Sequence, residues 1–164
     1  MARKRKRRPR GYYEVNGLDM LEELVRLCSL PLFGGPDGEL ATKPPDLTVR
    51  RASRRPRRNL GFAVPTERRI SVTAYPGIRV GDLQETLLHE LAHIAVGRSG
   101  GAWHGSVFRQ TLQEAMRQAY GIDASPRAAS VHGVYADALE ERRRRLGMRG
   151  QAVHPEQMAL DEAA

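Results

Sequence analysis

The sequence lacks several features that would place the chain in common classes of protein. It has a single cysteine, Cys28, which excludes an internal disulfide. No apolar run approaches the roughly 18 residues that a membrane-spanning helix needs, so we expect no membrane segment. The basic N-terminus is not followed by the apolar stretch of a signal peptide, so we expect no export. These absences predict a soluble cytoplasmic protein.

Aromatic residues are also scarce, at 5% of the 164 residues, while hydrophobic residues make up 40%. This content is enough for one modest core but not for two, so we expect a single domain over residues 12–148. Residues 1–11 are strongly basic and have no apolar periodicity, which predicts a disordered tail. A second, flexible tail is predicted over residues 149–164.

Positive charge is abundant but unevenly distributed along the chain. An N-terminal basic run carries seven positive charges. The formal net charge of the whole chain is +8, so the rest of the chain is close to neutral. A second group, the arginine cluster, lies between two predicted strands. The basic run consists of Arg3, Lys4, Arg5, Lys6, Arg7, Arg8 and Arg10, and the arginine cluster consists of Arg50, Arg51, Arg54, Arg55, Arg57 and Arg58.

Basic clusters of this density attract phosphate backbones, which predicts salt-sensitive, sequence-independent binding of nucleic acid. Two other interpretations stay open. The N-terminal basic run can be a solubilising tail, and the arginine cluster can keep an exposed strand edge from pairing with other chains.

Hydrophobic periodicity predicts both helices and strands. Helices are predicted at about 18–30, 82–96 and 105–120, with a last one starting at Ser125-Pro126, and strands at about 46–51, 59–64 and 69–75. Asn16 or Asp19 is expected to cap the first helix, and Asp82 with Glu85 the second. The Gly- and Pro-rich stretch at 33–45 is predicted to be a loop, and the arginine cluster the exposed end of a hairpin.

The second predicted helix contains the segment His89-Glu90-Leu91-Ala92-His93. Residues four apart lie on one face of a helix, so both imidazoles can approach one zinc ion at about 2.0–2.1 Å. Glu90, next to the first histidine, is then placed as a general base for zinc-assisted hydrolysis. The flanking residues are apolar, and buried histidines without a partner are costly, so we expect one Zn²⁺ per chain.

A catalytic zinc site needs a third protein ligand, and the sequence offers two candidates. His104 follows His93 after a stretch that contains Gly97, Gly100 and Gly101, which would let the chain double back. Glu114 lies on the next predicted helix and is the alternative ligand.

The segments Leu87-Leu88-His89-Glu90-Leu91-Ala92-His93 and His104-Gly105-Ser106-Val107-Phe108 resemble the two motifs of the SprT-like zinc metallopeptidases. The resemblance implies a zincin-like α+β domain, in which a small antiparallel three-stranded sheet packs against the helix of the first motif and flanking helices. It also implies His104 as the third ligand, Glu90 as the catalytic base, Phe108 as a packing residue, and a protein or peptide substrate.

Some SprT-like members act on proteins crosslinked to DNA, which agrees with the basic segments. Many carry a zinc ribbon with four cysteines, and this chain cannot form one. We therefore expect a zinc-dependent endopeptidase that acts near nucleic acid. The alternative is a non-proteolytic nucleic-acid-binding protein that keeps the zinc for structure.

Overall fold

The computed structural model describes residues 8–9, 11–97, 103–123 and 133–147. Its strands are β1 (Glu14–Val15), β2 (Leu18–Asp19), β3 (Asp46–Arg51), β4 (Gly61–Val64) and β5 (Arg69–Ala74). Its α-helices are α1 (Met20–Cys28), α2 (Glu39–Thr42), α3 (Val80–Val96), α4 (Ser106–Tyr120) and α5 (Val134–Arg145). Short 3-10 turns lie at Pro31–Phe33, Gly35–Asp37 and Pro65–Glu67. The α+β class predicted from the sequence is therefore confirmed.

A two-residue hairpin precedes α1. β1 and β2 pair antiparallel around Asn16 and Gly17, whose φ angles of 51° and 82° suit the tight turn that Asn-Gly favours. The side chain of Asp19 accepts hydrogen bonds from the backbone N–H groups of Leu21 and Glu22, which confirms it as the helix cap. The predicted helix start at residue 18 was wrong by two residues, because Leu18 and Asp19 belong to the hairpin.

The larger sheet has the order β3-β5-β4. β5 runs parallel to β3 and antiparallel to β4, so the predicted antiparallel sheet is wrong on one side. The arginine cluster is likewise not the end of a hairpin, because β3 and β4 are not neighbours. Residues 52–60 instead carry the chain past the position that β5 fills between the two strands. Ile70 and Val72 of β5 are fully buried at the centre of the sheet.

Helix α3 is the centre of the domain and packs against α1, α4, α5, β4 and β5. It is buried along nearly its whole length, which explains why its sequence is apolar almost all round. Asp82 lies in its first turn, not before it, and accepts from the backbone N–H of Arg79 at 3.1 Å. Glu85 does not complete a capping box with Asp82. Its carboxylate accepts from the backbone N–H groups of Gly133, at 2.8 Å, and Ala136, where α5 begins.

A buried polar cluster joins α1, α3 and α4. The carboxylate of Glu23 accepts hydrogen bonds from Arg26, at 2.8 and 3.1 Å, and from the hydroxyl of Tyr120 and the amide of Gln84. Burial alone would raise the pKa of Glu23, but the hydrogen bonds and charge of Arg26 outweigh it and hold the pKa below its usual value. The cluster therefore ties the helices around α3 through a satisfied buried charge.

Other sequence predictions fall at the margins of this structure. The stretch predicted as a loop at 33–45 contains the turn Gly35–Asp37 and the short helix α2. The predicted start of the last helix at Ser125-Pro126 lies outside the described residues, as do residues 1–7 and 149–164 of the two predicted tails. Over the ranges that the structure covers, no helix has both the length and the apolar character needed to cross a membrane.

Candidate metal centre

Three histidines bring their Nε2 atoms together at one end of α3. The Nε2 atom of His93 lies 3.2 Å from that of His89 and 3.1 Å from that of His104. The Nε2 atoms of His89 and His104 are 3.3 Å apart. Ligand atoms at about 2.0–2.1 Å in a tetrahedral zinc site are roughly 3.3–3.4 Å apart. The three imidazoles therefore fit one metal ion of this kind.

Two helices place these ligands. His89 and His93 lie one turn apart on α3, and His104 precedes α4, which begins after Gly105. The ring of Phe108, in the first turn of α4, contacts all three imidazoles. Its centroid lies 4.9 Å from that of His89, 4.1 Å from that of His93 and 5.0 Å from that of His104. Because Phe108 is buried in the core, it fixes α4 and the adjoining His104 against the histidines of α3.

Burial keeps His93 and His104 in the neutral form that can bind a metal. Burial, together with repulsion from His89 and His104 in their protonated forms, lowers the pKa of His93 to about 3. Burial also lowers the pKa of His104. At neutral pH these two rings are neutral, so their nitrogen lone pairs are available to a metal without loss of a proton.

Glu90 lies beside the histidines and is 6% exposed. Burial raises the pKa of its carboxyl group to about 8. A cation held by the three imidazoles would lower the pKa of Glu90, because a nearby positive charge favours the carboxylate form. The site therefore places a proton-accepting group in a dry environment next to the ligands.

The histidines and Glu90 line a cleft of about 230 Å³. Residues 58–63, which comprise the first three residues of β4 and the segment before it, form one wall, and α3 forms the other. Trp103 and His104 contribute from the segment that leads into α4. The cleft thus lies between β4 and α3, and the three imidazoles are grouped together in its lining.

Gly61 sets the closeness of these two walls. A Cβ atom at this position would lie 2.7 Å from the methyl group of Thr86, 2.9 Å from the backbone oxygen of Ser71 and 3.2 Å from Cγ of Glu90. Distances this short cannot be accommodated without movement, so only glycine lets β4 approach α3 beside Glu90.

We predict that Gly61→Ala lowers the free energy of unfolding by about 1–3 kcal/mol, because the added methyl group overpacks the contact between β4 and α3. Chemical denaturation measures the change. The double variant Gly61→Ala/Thr86→Ser removes the closest atom and keeps the hydroxyl that donates to the Asp82 carbonyl, so it should recover part of the loss. A Gly61→Ala protein as stable as the wild type would contradict this account.

The alternative ligand Glu114 does not join the cluster. Its carboxylate accepts hydrogen bonds from Arg117 and Gln118 on the outer part of α4. Among the described residues, the group of side chains that could hold a metal ion consists of His89, His93 and His104.

The arginine cluster lines a second groove, of about 570 Å³, beside the cleft. Five of its arginines contribute to this groove, namely Arg50, Arg51, Arg54, Arg55 and Arg57. Arg58 lines the cleft itself, and Asn59 borders both spaces, so the groove and the cleft adjoin. One arginine is already engaged, since Nη2 of Arg51 donates to the backbone oxygens of Tyr12 and Glu14.

The N-terminal basic run is represented by Arg8 alone, whose guanidinium lies 4.6 Å from the ring centroid of Tyr12. Its other members, Arg3, Lys4, Arg5, Lys6, Arg7 and Arg10, lie outside the described residues.

Sequence reasoning did not identify the parts played by Gly61 and Trp103. Trp103 stacks on His93 in the structure, and the one available signal was its position directly before a predicted ligand. The contacts of Gly61 join three segments that are distant in sequence, so no local pattern indicates them. No family model, curated protein or solved structure matches the chain.

Proposed function

We propose that this chain is a zinc-dependent endopeptidase of the SprT-like type, with a zincin-like catalytic domain. The observation that carries the proposal is the meeting of three imidazole nitrogens beside the buried Glu90 in an accessible cleft. Catalytic zinc sites use three protein ligands and leave one position for the reactants, whereas structural sites are closed by four.

The donor set supports zinc as the metal. Imidazole nitrogens suit zinc, copper, iron and nickel, and the separations of the three Nε2 atoms agree with tetrahedral coordination. When bound, zinc would polarise a substrate carbonyl group and make water more acidic.

Glu90 would be the proton carrier of the reaction. It takes a proton from water as the water oxygen bonds to the carbonyl carbon, and it gives that proton to the amide nitrogen as the C–N bond breaks. Its burial suits this work, since a carboxylate in a dry cleft is a stronger base than one in bulk water.

The wall formed by β4 supports a peptide as the substrate. Within the described sheet β4 pairs with β5 on one side alone, and its residues border the cleft. An extended peptide can form main-chain hydrogen bonds with such an edge strand, which would lay its backbone along the cleft.

The arginine groove supports a location near nucleic acid. Five arginines around one groove present a field that attracts phosphates, and the groove adjoins the cleft at Asn59. The same observation favours the second candidate function, a non-proteolytic nucleic-acid-binding protein in which zinc is structural. Glu90 favours the enzyme, because a structural site has no use for a base beside its ligands.

The deciding experiment combines metal analysis with a cleavage assay. We expect about one zinc per purified chain, cleavage of an unfolded protein such as casein, loss of cleavage with 1,10-phenanthroline and its return when zinc is added. Binding of single-stranded DNA is measured over a range of salt concentrations on the same sample.

Bound zinc and steeply salt-dependent DNA binding without cleavage would favour the second function. Purified protein that takes up no zinc even when zinc is added would rule out the enzyme.

A further inference from the structure

The imidazole of His93 lies between two aromatic rings. Trp103 stacks on it at a centroid distance of 4.1 Å with an interplanar angle of 11°, and Phe108 stacks at 4.1 Å with an angle of 19°. Two rings that are both nearly parallel to a third at this distance cannot occupy the same face. His93 is therefore clamped, with Trp103 on one face and Phe108 on the other.

This clamp bears on metal binding, because a ligand must hold its ring within about 10–20° of the productive orientation. Rotation of the His93 ring would drive its edges into the indole or the phenyl ring. Metal-binding histidines are usually oriented by a hydrogen bond from their second nitrogen. Among the described residues, the hydrogen bonds of the His93 ring involve Nε2 and the other two histidines, so stacking is the contact that orients it.

The two clamping residues differ in what else they do. Phe108 is 2% exposed and touches all three histidines, so its removal would disturb the core as well as the site. Trp103 is 40% exposed and lies at the edge of the cleft, directly before His104. Trp103 is therefore the less disruptive of the two residues to replace.

We propose that Trp103 is a positioning residue of the metal centre: its indole holds His93 in the orientation that binds metal and thereby raises the affinity of the site. The inference rests on the metal site of the proposed function and does not depend on peptidase activity. Trp103 is also the single tryptophan of the chain, so the tryptophan fluorescence comes from this one position beside His93.

The test is the zinc affinity of Trp103→Ala, measured by competition with a chelating indicator. We expect a loss of about ten-fold, the lower end of the effect seen when contacts that orient metal ligands are removed. Trp103→Phe keeps a stacking ring and should recover most of the affinity. Phe62→Ala is the matched control, because Phe62 is 42% exposed in the same cleft and, within the described part of the chain, makes no ring contact with the histidines.

Two optical measurements separate positioning from a general structural effect. Zinc should change the tryptophan emission of the wild type, and the cobalt(II) spectrum of Trp103→Ala should differ from that of Phe62→Ala, because the geometry around the metal changes. Thermal melting without metal checks that the variants are folded.

Affinity that falls in Trp103→Ala and returns in Trp103→Phe supports the inference. Equal affinity in Trp103→Ala and the wild type, or equal losses in Trp103→Ala and Trp103→Phe, would overturn it and leave the proposed function standing. A wild type that binds no zinc would overturn the proposed function itself.

Discussion

Replacing Glu90 with glutamine should lower kcat for peptide cleavage by about 10²–10⁴-fold, the usual contribution of a general acid–base residue. Glutamine has nearly the shape of glutamate, so it should fit the same buried position beside the histidines. It cannot take a proton from water or return one to the leaving amine. We therefore expect a slower chemical step in a site whose structure is unchanged.

The measurement pairs kinetics with metal content. Glu90→Gln should retain about one zinc per chain, since the proposed ligands are the imidazoles of His89, His93 and His104. Glu114→Gln is the control, because Glu114 lies on the outer part of α4 and bonds to Arg117 and Gln118. Turnover by zinc-loaded Glu90→Gln at the wild-type rate would show that another group moves the proton.

Replacing His104 with alanine should lower zinc affinity roughly a hundred-fold or more. Four-ligand structural zinc sites bind with about 10–16 kcal/mol, so one ligand contributes on the order of 3 kcal/mol. His104 supplies one of the three nitrogens that meet within 3.3 Å of one another, and the remaining pair comes from a single helix turn. Cleavage activity should fall with the metal.

Glu114→Ala distinguishes the two ligand candidates of the sequence. It should bind zinc as the wild type does. Zinc should also raise its melting temperature as much as that of the wild type, because at a fixed zinc concentration the stabilisation of the folded state is set by Kd. His104→Ala should show a much smaller rise at the same zinc concentration. If His104→Ala binds zinc as tightly as the wild type, His104 is not a zinc ligand.

The sequence predicted the parts of the site that depend on local geometry. His89, Glu90 and His93 are related by the fixed period of a helix, so their spacing alone indicated that the two imidazoles would meet. His104 lies eleven residues after His93 and outside the helix, and no periodicity decided between it and Glu114. The structure brings His104 to the other two histidines and leaves Glu114 on the outer part of α4.

The sheet shows where local reasoning ends. The alternation of Leu47 with Val49 and of Ile70 with Val72 indicated strands, and strands are present there. Alternation describes which face of a strand is buried and carries no information on its neighbour, so the parallel pairing of β3 with β5 was not foreseen. The hairpin before α1 was not predicted either, although Asn16-Gly17 is a strong local turn signal.

The strand order has a consequence for the newly made chain. β5 leaves the ribosome after both β3 and β4 yet lies between them, so neither has a partner in the sheet until Arg69–Ala74 has been synthesised. Unpaired strands of this kind are prone to aggregate with other chains. The arginines at 50–58 lie at the end of β3 and in the segment that leads to β4. Repulsion between these arginines on different copies would keep nascent chains apart until β5 pairs with both strands.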